Sequence, residues 1–170
     1  MFRVSFSTKG LEKVKEDLGR LYANAVDFRP VWLMIQQSFY GVEQEQFATL
    51  GHGEWPPLSE NYARWKSEKV PGKQMMELTG AAKRSLTGET EDSIVIMEPT
   101  RLVLGSRARS GAIPGVGDFT AEHPYLVSHQ MGIYGRPQRK LIDIGPDIRD
   151  QWMQMMKAHI FGTRMLPTTL

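Results

Sequence analysis

The sequence predicts an α+β fold, a small, largely antiparallel β-sheet packed against a few α-helices, with a long mobile loop and a C-terminal tail. Three observations predict it. Apolar residues recur at three- and four-residue steps in three long stretches, over 11–21, 31–50 and 148–160. The period shortens to two in "FRVSFS", "SIVIMEPTRLVLGS" and "RKLIDIG". These runs are grouped rather than strictly alternating with the helical ones, as in an α+β fold. With 170 residues the chain is long enough for one domain with its own core. The expected organisation is a single domain over 1–162, its long loop near 107–122, and a tail at 163–170.

Taken in order, Phe2, Val4 and Phe6 alternate with Arg3, Ser5 and Ser7, as in a half-buried strand. Ser7 or Thr8 then caps a helix whose apolar face is Leu11, Val14, Leu18 and Leu21. Arg29-Pro30 breaks the pattern, and Pro30 suits the first turn of a second helix. That helix carries Trp32, Ile35, Phe39, Val42 and Phe47 and stops at Gly51-His52-Gly53. Pro56-Pro57 holds Trp55 on a loop, because proline is excluded from a helix interior. Ser59 caps a short helix bearing Tyr62 and Trp65; Pro71-Gly72 ends that region, and Thr79 caps a helix with Ala81, Ala82 and Leu86.

The period then changes. Ser93–Met97 and Arg101–Ser106 read as a hairpin turned by Glu98-Pro99-Thr100. "RARSGAIPGVGDFTAEHP" is rich in Gly, Ala, Ser and Pro and reads as the mobile loop. Tyr125–Met131 supplies a helical turn or two, and Lys140–Ile144 a further strand. Pro146 opens the last helix, with Asp147 and Asp150 near its start and Lys157 and His159 near its end, as the helix dipole favours. The expected core is Val4, Phe6, Leu11, Leu18, Trp32, Ile35, Phe39, Trp55, Leu58, Tyr62, Leu78, Leu86, Ile94, Ile96, Leu102, Leu104, Leu126, Ile142, Ile144 and Trp152.

Composition excludes several functions. There is no cysteine, so disulfide frameworks and thiolate metal sites are out. A formal charge of +2 is too small to argue for nucleic acid, which usually needs a basic face or stripe. No long apolar run opens the chain, so neither a signal peptide nor a membrane span is expected. Ten methionines, four of them at 153, 155, 156 and 165, suit core filling or an adaptable contact surface.

Catalytic signals are weak. The histidines at 52, 123, 129 and 159 lack ligand spacing, and the expectation is no metal and no cofactor. Glu89, Glu91 and Asp92 read as a solvated turn rather than an acid/base pair. No serine sits in a Gly-x-Ser-x-Gly elbow, and "GAIPGVG" lacks the lysine of a phosphate loop. An enzyme would have to be built on His52, Glu54 or His129, converging in a pocket. Arg101, Arg107, Arg109, Arg136, Arg139 and Lys140 form modest basic groups, fit for a solvated rim, for salt bridges between subunits or for phosphates.

A set of ordered motifs carries more. "WPPLSENYARWK", then "ELTGAAKRSL", then a hairpin ending in Gly105-Ser106, then "YLVSHQMG", then Arg136-Pro137 before a last strand and helix, resemble the virion-morphogenesis and tail-completion family of tailed bacteriophages. The motif positions are Trp55, Leu58, Ser59, Tyr62, Lys66, Leu78, Thr79, Gly80, Ser85, Leu86, Tyr125, His129, Gln130, Gly132 and Pro137. Departures are Ala82, where the family has a bulky apolar residue, and Gln138-Arg139-Lys140-Leu141 after Pro137, where it has Phe-Leu-Gly.

The resemblance implies a structural protein without a catalytic site, located in the virion neck and made in the host bacterial cytoplasm. It would form a ring at the head–tail junction that caps the tail tube as a tail completion or tail terminator protein. The alternative is a portal-side connector or head-closure ring touching packaged DNA non-specifically. Implied partners are further copies of the chain in a homo-hexamer, with a dodecamer as the alternative, a head-side connector or stopper protein, and the major tail or tail tube protein. Genomic DNA in the lumen is a further implied contact, and no membrane is involved. The expected subunit or partner contacts are Arg101, Arg107, Arg109, Phe119, Tyr134, Arg136, Arg139, Met165 and Leu166.

Overall fold

The computed structural model describes residues 10–108, 110–113, 117–120 and 125–162; the side chains of 110–113, 117–120 and 125 are not described. The expected strand at 2–7 and the tail at 163–170 lie outside these residues. Six helices and four strands are present among the described residues: α1 Leu11–Val26, α2 Arg29–Ala48, α3 Glu60–Lys69, α4 Ala81–Leu86, β1 Ser93–Glu98, β2 Arg101–Ser106, β3 Ser110–Ile113, β4 Gly117–Thr120, α5 Tyr125–Met131 and α6 Pro146–Phe161. The fold is α+β, as the grouping of periods predicts.

The strands form two separate two-stranded sheets, β1-β2 and β3-β4. The β1-β2 connection is only Pro99-Thr100, short enough to join antiparallel strands alone. The second pair corrects an expectation: part of the stretch read as a loop at 107–122 is a ladder, with Ser110 opposite Thr120 and Ala112 opposite Asp118. Its glycines and short side chains hid the alternation on which the sequence reading relied.

The chain divides into two compact units. The first comprises Met1–Ile35, Met97–Leu102 and Pro146–Leu170. Its core is Val31, Trp32 and Ile35, one turn apart on α2, with Phe28, Met97, Leu102, Trp152, Met155 and Met156 packed around them. Phe28 stacks on Trp32 with centroids 5.4 Å apart, and the Trp32 indole N–H donates to the Glu98 carbonyl at 2.8 Å. Met155 and Met156 here fill the core. The Asp27 carboxylate accepts from the Arg29 backbone N–H at 3.1 Å and from its guanidinium at 2.6 Å, fixing the start of α2. That pairing holds Asp27 down at about 2.

Helix α1 departs from the sequence reading. It begins after Gly10, with no side-chain cap, rather than on Ser7 or Thr8. No residue of α1 is buried, and Leu11 and Leu18, expected in the core, are 61% and 60% exposed. Only Asp17, Leu21 and Asn24 are half-buried. Asn24 donates to the His159 carbonyl of α6 at 2.8 Å, and the His159 ring meets the Asp27 carbonyl at 2.8 Å. Thus α1 packs along one edge of its apolar stripe and leaves the stripe itself outside.

The second unit comprises Gln36–Ile96 and Val103–Gly145. Phe39, Glu43, Gln46 and Phe47 form the buried face of the α2 continuation. The backbone turns at Gly51, where φ is +68° and an added Cβ would lie 2.3 Å from the Trp55 ring. Trp55 then packs edge-on against Phe47, centroids 5.6 Å apart. Three more core expectations fail here: Tyr62, Ile96 and Ile142 are exposed. For Ile142 the reason is local. Residues 140–144 form no strand, and Leu141 is the residue that points inward.

Candidate functional site

Trp55, His129 and Gln130, from two of the sequence motifs, meet in the second unit around the irregular segment 138–142. The Gln46 side-chain N–H and the Trp55 indole N–H both donate to the Lys140 carbonyl, at 2.8 and 2.9 Å. Gln130, on α5, clasps the next two residues. Its Oε1 accepts from Leu141 N–H at 2.7 Å and Ile142 N–H at 3.0 Å, and its Nε2 donates to the Ile142 carbonyl at 2.8 Å. One glutamine amide thereby performs the pairing that a neighbouring strand would supply. This explains how an alternating sequence such as "KLIDI" is held in place without being a strand.

Arg139 closes the cluster. It is 3% exposed. Its Nε and Nη2 donate to the Pro56 carbonyl at 2.9 and 2.7 Å, and Nη2 also reaches the Pro57 carbonyl at 3.0 Å. Its backbone N–H donates to the His129 carbonyl at 2.8 Å. The guanidinium Nη1 lies 3.4 Å from His129 Nδ1. A guanidinium can only donate, so that nitrogen presents its lone pair. Burial, then Arg139 and Arg136, push the His129 ring down to about 4, so it is neutral at pH 7. Gly132, at φ +67°, lets Gln138 come close; a Cβ there would lie 2.9 Å from that of Gln138.

The other motif residues hold α3, α4 and β2 in place. Lys66 is buried and its ammonium donates to the Gln74 carbonyl, while burial lowers its pKa. Thr79 Oγ1 accepts from Ala81 N–H at 3.2 Å, and Gly80 occupies the N-cap position of α4. Ser85 donates to the Ala82 carbonyl at 3.0 Å, so the Ser85–Ser106 contact of 2.5 Å has Ser106 as donor. Leu86 is buried, and Leu58 and Leu78 are half-buried. Pro137 is exposed, and the Tyr125 side chain is not among those described.

Of the residues expected at contacts, Tyr134 and Arg107 are exposed and Arg136 is half-buried. Arg101 is exposed beside Glu98 at 4.0 Å. Arg139 spends its donors inside the chain. Phe119 falls in β4 opposite Gly111. Arg109, Met165 and Leu166 lie outside the described residues.

A cavity of about 200 Å³ is lined by Gln46, Gly51, His52, Glu54, Trp55, Gln138, Lys140 and Asp143. It brings together His52 and Glu54, the residues an enzyme reading requires, but His129 is not on its wall. It is smaller than a site enclosing a typical cofactor. Among the described residues no group of three or more His, Asp or Glu is placed to hold a metal ion, and no helix is long and apolar enough to cross a membrane. The second unit also buries Glu43 completely, with neither carboxylate oxygen hydrogen-bonded, and burial pushes its pKa up to about 8. Gln130 belongs to a motif the sequence displays. Gln46, Glu43 and the inward use of Arg139 carry no sequence signal, because polar residues at such positions normally face water.

The sequence model of the phage virion morphogenesis family matches residues 10–160. The chain belongs to that family. The match spans both compact units and every motif described above, so the Trp55–Gln130–Arg139 cluster is part of the family region. No curated protein and no solved structure matches the chain. Membership supports a role in building a phage virion.

Proposed function

We propose that the protein is a neck component of a tailed phage, a tail completion or tail terminator protein. It forms a ring at the head–tail junction, caps the tail tube and mediates head–tail joining. The observation that carries this reading is the amount of large apolar surface left outside by a virion-morphogenesis chain. On α1 alone Leu11, Val14, Leu18, Tyr22 and Val26 face water. Patches of this extent on a folded chain mark surfaces that other proteins cover. The partners on this reading are further copies of the chain, a hexamer before a dodecamer, with the head-side connector or stopper on one side and the tail tube protein on the other. A closed ring of identical chains uses a head-to-tail interface.

The test is assembly of phage particles lacking only this protein. Filled heads and finished tails should accumulate separately and should join when purified protein is added. Fully joined, infectious particles in its absence would overturn the proposal.

A further inference from the structure

On the second unit, one surface has the composition of a binding hot spot. On α3, Tyr62 and Trp65 stack with centroids 5.4 Å apart, and Tyr62 remains exposed. Arg136 lies near enough to act electrostatically on both the Tyr62 hydroxyl and the His129 ring. Between α5 and Arg136 the chain makes a tight turn, closed by Arg136 N–H on the Ile133 carbonyl at 3.3 Å. Tyr134 in that turn is 62% exposed, and Met131, the last residue of α5, is 63% exposed. Tyrosine, tryptophan, methionine and arginine are the residues enriched where proteins meet.

Two details set this turn apart. Tyr134 sits at φ +57°, a conformation a bulky residue adopts only at a cost in strain. Among the described residues Arg136 also belongs to no ion pair, those being Arg20–Asp17, Arg29–Asp27, Lys83–Glu77, Arg101–Glu98 and Lys140–Asp143. Since Arg139 is buried and His129 neutral, Arg136 is the cation this cluster presents.

The same chain carries the complement. The turn between α4 and β1 reads Glu89-Thr90-Glu91-Asp92. Glu89 and Glu91 are exposed, and Glu91 and Asp92 belong to none of those ion pairs. Placing the aromatic–arginine surface against its own copy would bring two Arg136 cations into one interface. Placing it against the acidic turn pairs opposite charges. That arrangement joins two different patches, so it propagates head to tail and closes only as a ring.

We infer that the Tyr62–Tyr134–Arg136 surface docks a second copy of this chain, with Arg136 seated on the Glu89–Asp92 turn of the neighbouring copy. The inference rests on the ring reading and names the contact that builds the ring. It is tested by charge reversal, with mass photometry of the full chain, alone and with purified tail tubes, over a dilution series. Arg136→Glu and Glu91→Arg should each raise the concentration for half-assembly on the order of tenfold. The Arg136→Glu/Glu91→Arg pair should recover most of that loss. Tyr134→Gly keeps the positive-φ backbone and removes the exposed ring, so it should weaken assembly while circular dichroism shows the fold intact. Normal rings from Arg136→Glu would overturn the inference and leave the ring reading standing. Folded single variants whose double variant stays monomeric would overturn the pairing with Glu91. Wild-type protein that forms no ring, alone or on tubes, would overturn both.

Discussion

Glu43 makes stability depend on pH in a direction opposite to that of most carboxylates. Its carboxyl is fully buried on α2, has no hydrogen-bond partner, and moves from 4.5 to about 8 on folding. Between those values the native chain holds a proton that the unfolded chain has released. Stability is therefore fully present below pH 4.5 and is lost as pH rises, at about 1.4 kcal/mol per pH unit. By pH 8 the accumulated loss is roughly 4–5 kcal/mol, a large share of a domain's stability. His129 acts with the opposite sign. Its pKa falls from 6.5 to about 4, so its contribution is present above pH 6.5 and is lost as pH falls toward 4. The two slopes offset one another from pH 4.5 to 6.5, and Glu43 alone of the pair acts from 6.5 to 8. Urea denaturation followed by tryptophan fluorescence should show the wild type nearly level to pH 6.5 and then falling by about 2 kcal/mol by pH 8. Glu43→Gln keeps the size of the side chain and removes its titration. Its profile should climb to pH 6.5 and then stay flat, so the gap between the two proteins widens steadily with pH. Parallel profiles for the two proteins would refute the assignment of a buried, protonated Glu43.

Three further outcomes follow from the segment 138–142. Trp55→Ala should cost about 3–5 kcal/mol, since it removes a buried indole packed on Phe47; Trp55→Phe should cost about 1, because Gln46 still serves the Lys140 carbonyl. Both are read from denaturant midpoints. Gln130→Ala leaves two backbone N–H groups without partners and should cost about 2 kcal/mol, with hydrogen exchange at Leu141 and Ile142 rising well before that of α2. Gly51→Ala forces a side chain into the Trp55 ring at positive φ and should lower the melting temperature by several degrees, a loss Trp55→Ala in the same chain partly relieves.

The helices were legible because their apolar spacing and prolines are local signals. Pro30 and Pro146 stand at or beside the helix starts, and Trp32, Ile35 and Phe39 are buried as their spacing predicts. The hairpin β1-β2 was legible from its Pro99 turn. What failed were inferences that needed tertiary information. Leu11 and Leu18 share an apolar stripe, yet α1 packs on its Asp17–Leu21–Asn24 edge, and periodicity cannot say whether a stripe is covered by the same chain. Lys140–Ile144 alternates like a strand, but its partner is a glutamine side chain on α5, which no strand pattern announces. The ordered motifs include Trp55, His129, Gln130 and Gly132 of this cluster, whereas Gln46 and the inward-facing Arg139 lie outside them. That Arg139 is buried and Arg136, three residues earlier, only half-buried emerged only from the fold.

The central claim is that this chain works as a ring. The measurement that tests it most directly is the mass of the purified protein, alone and after mixing with tail tubes, by mass photometry with negative-stain imaging of the tube ends. The account predicts a closed ring, six-fold on the leading reading, free in solution or seated on one end of the tube. A folded monomer that joins neither tube nor head at any concentration would contradict it.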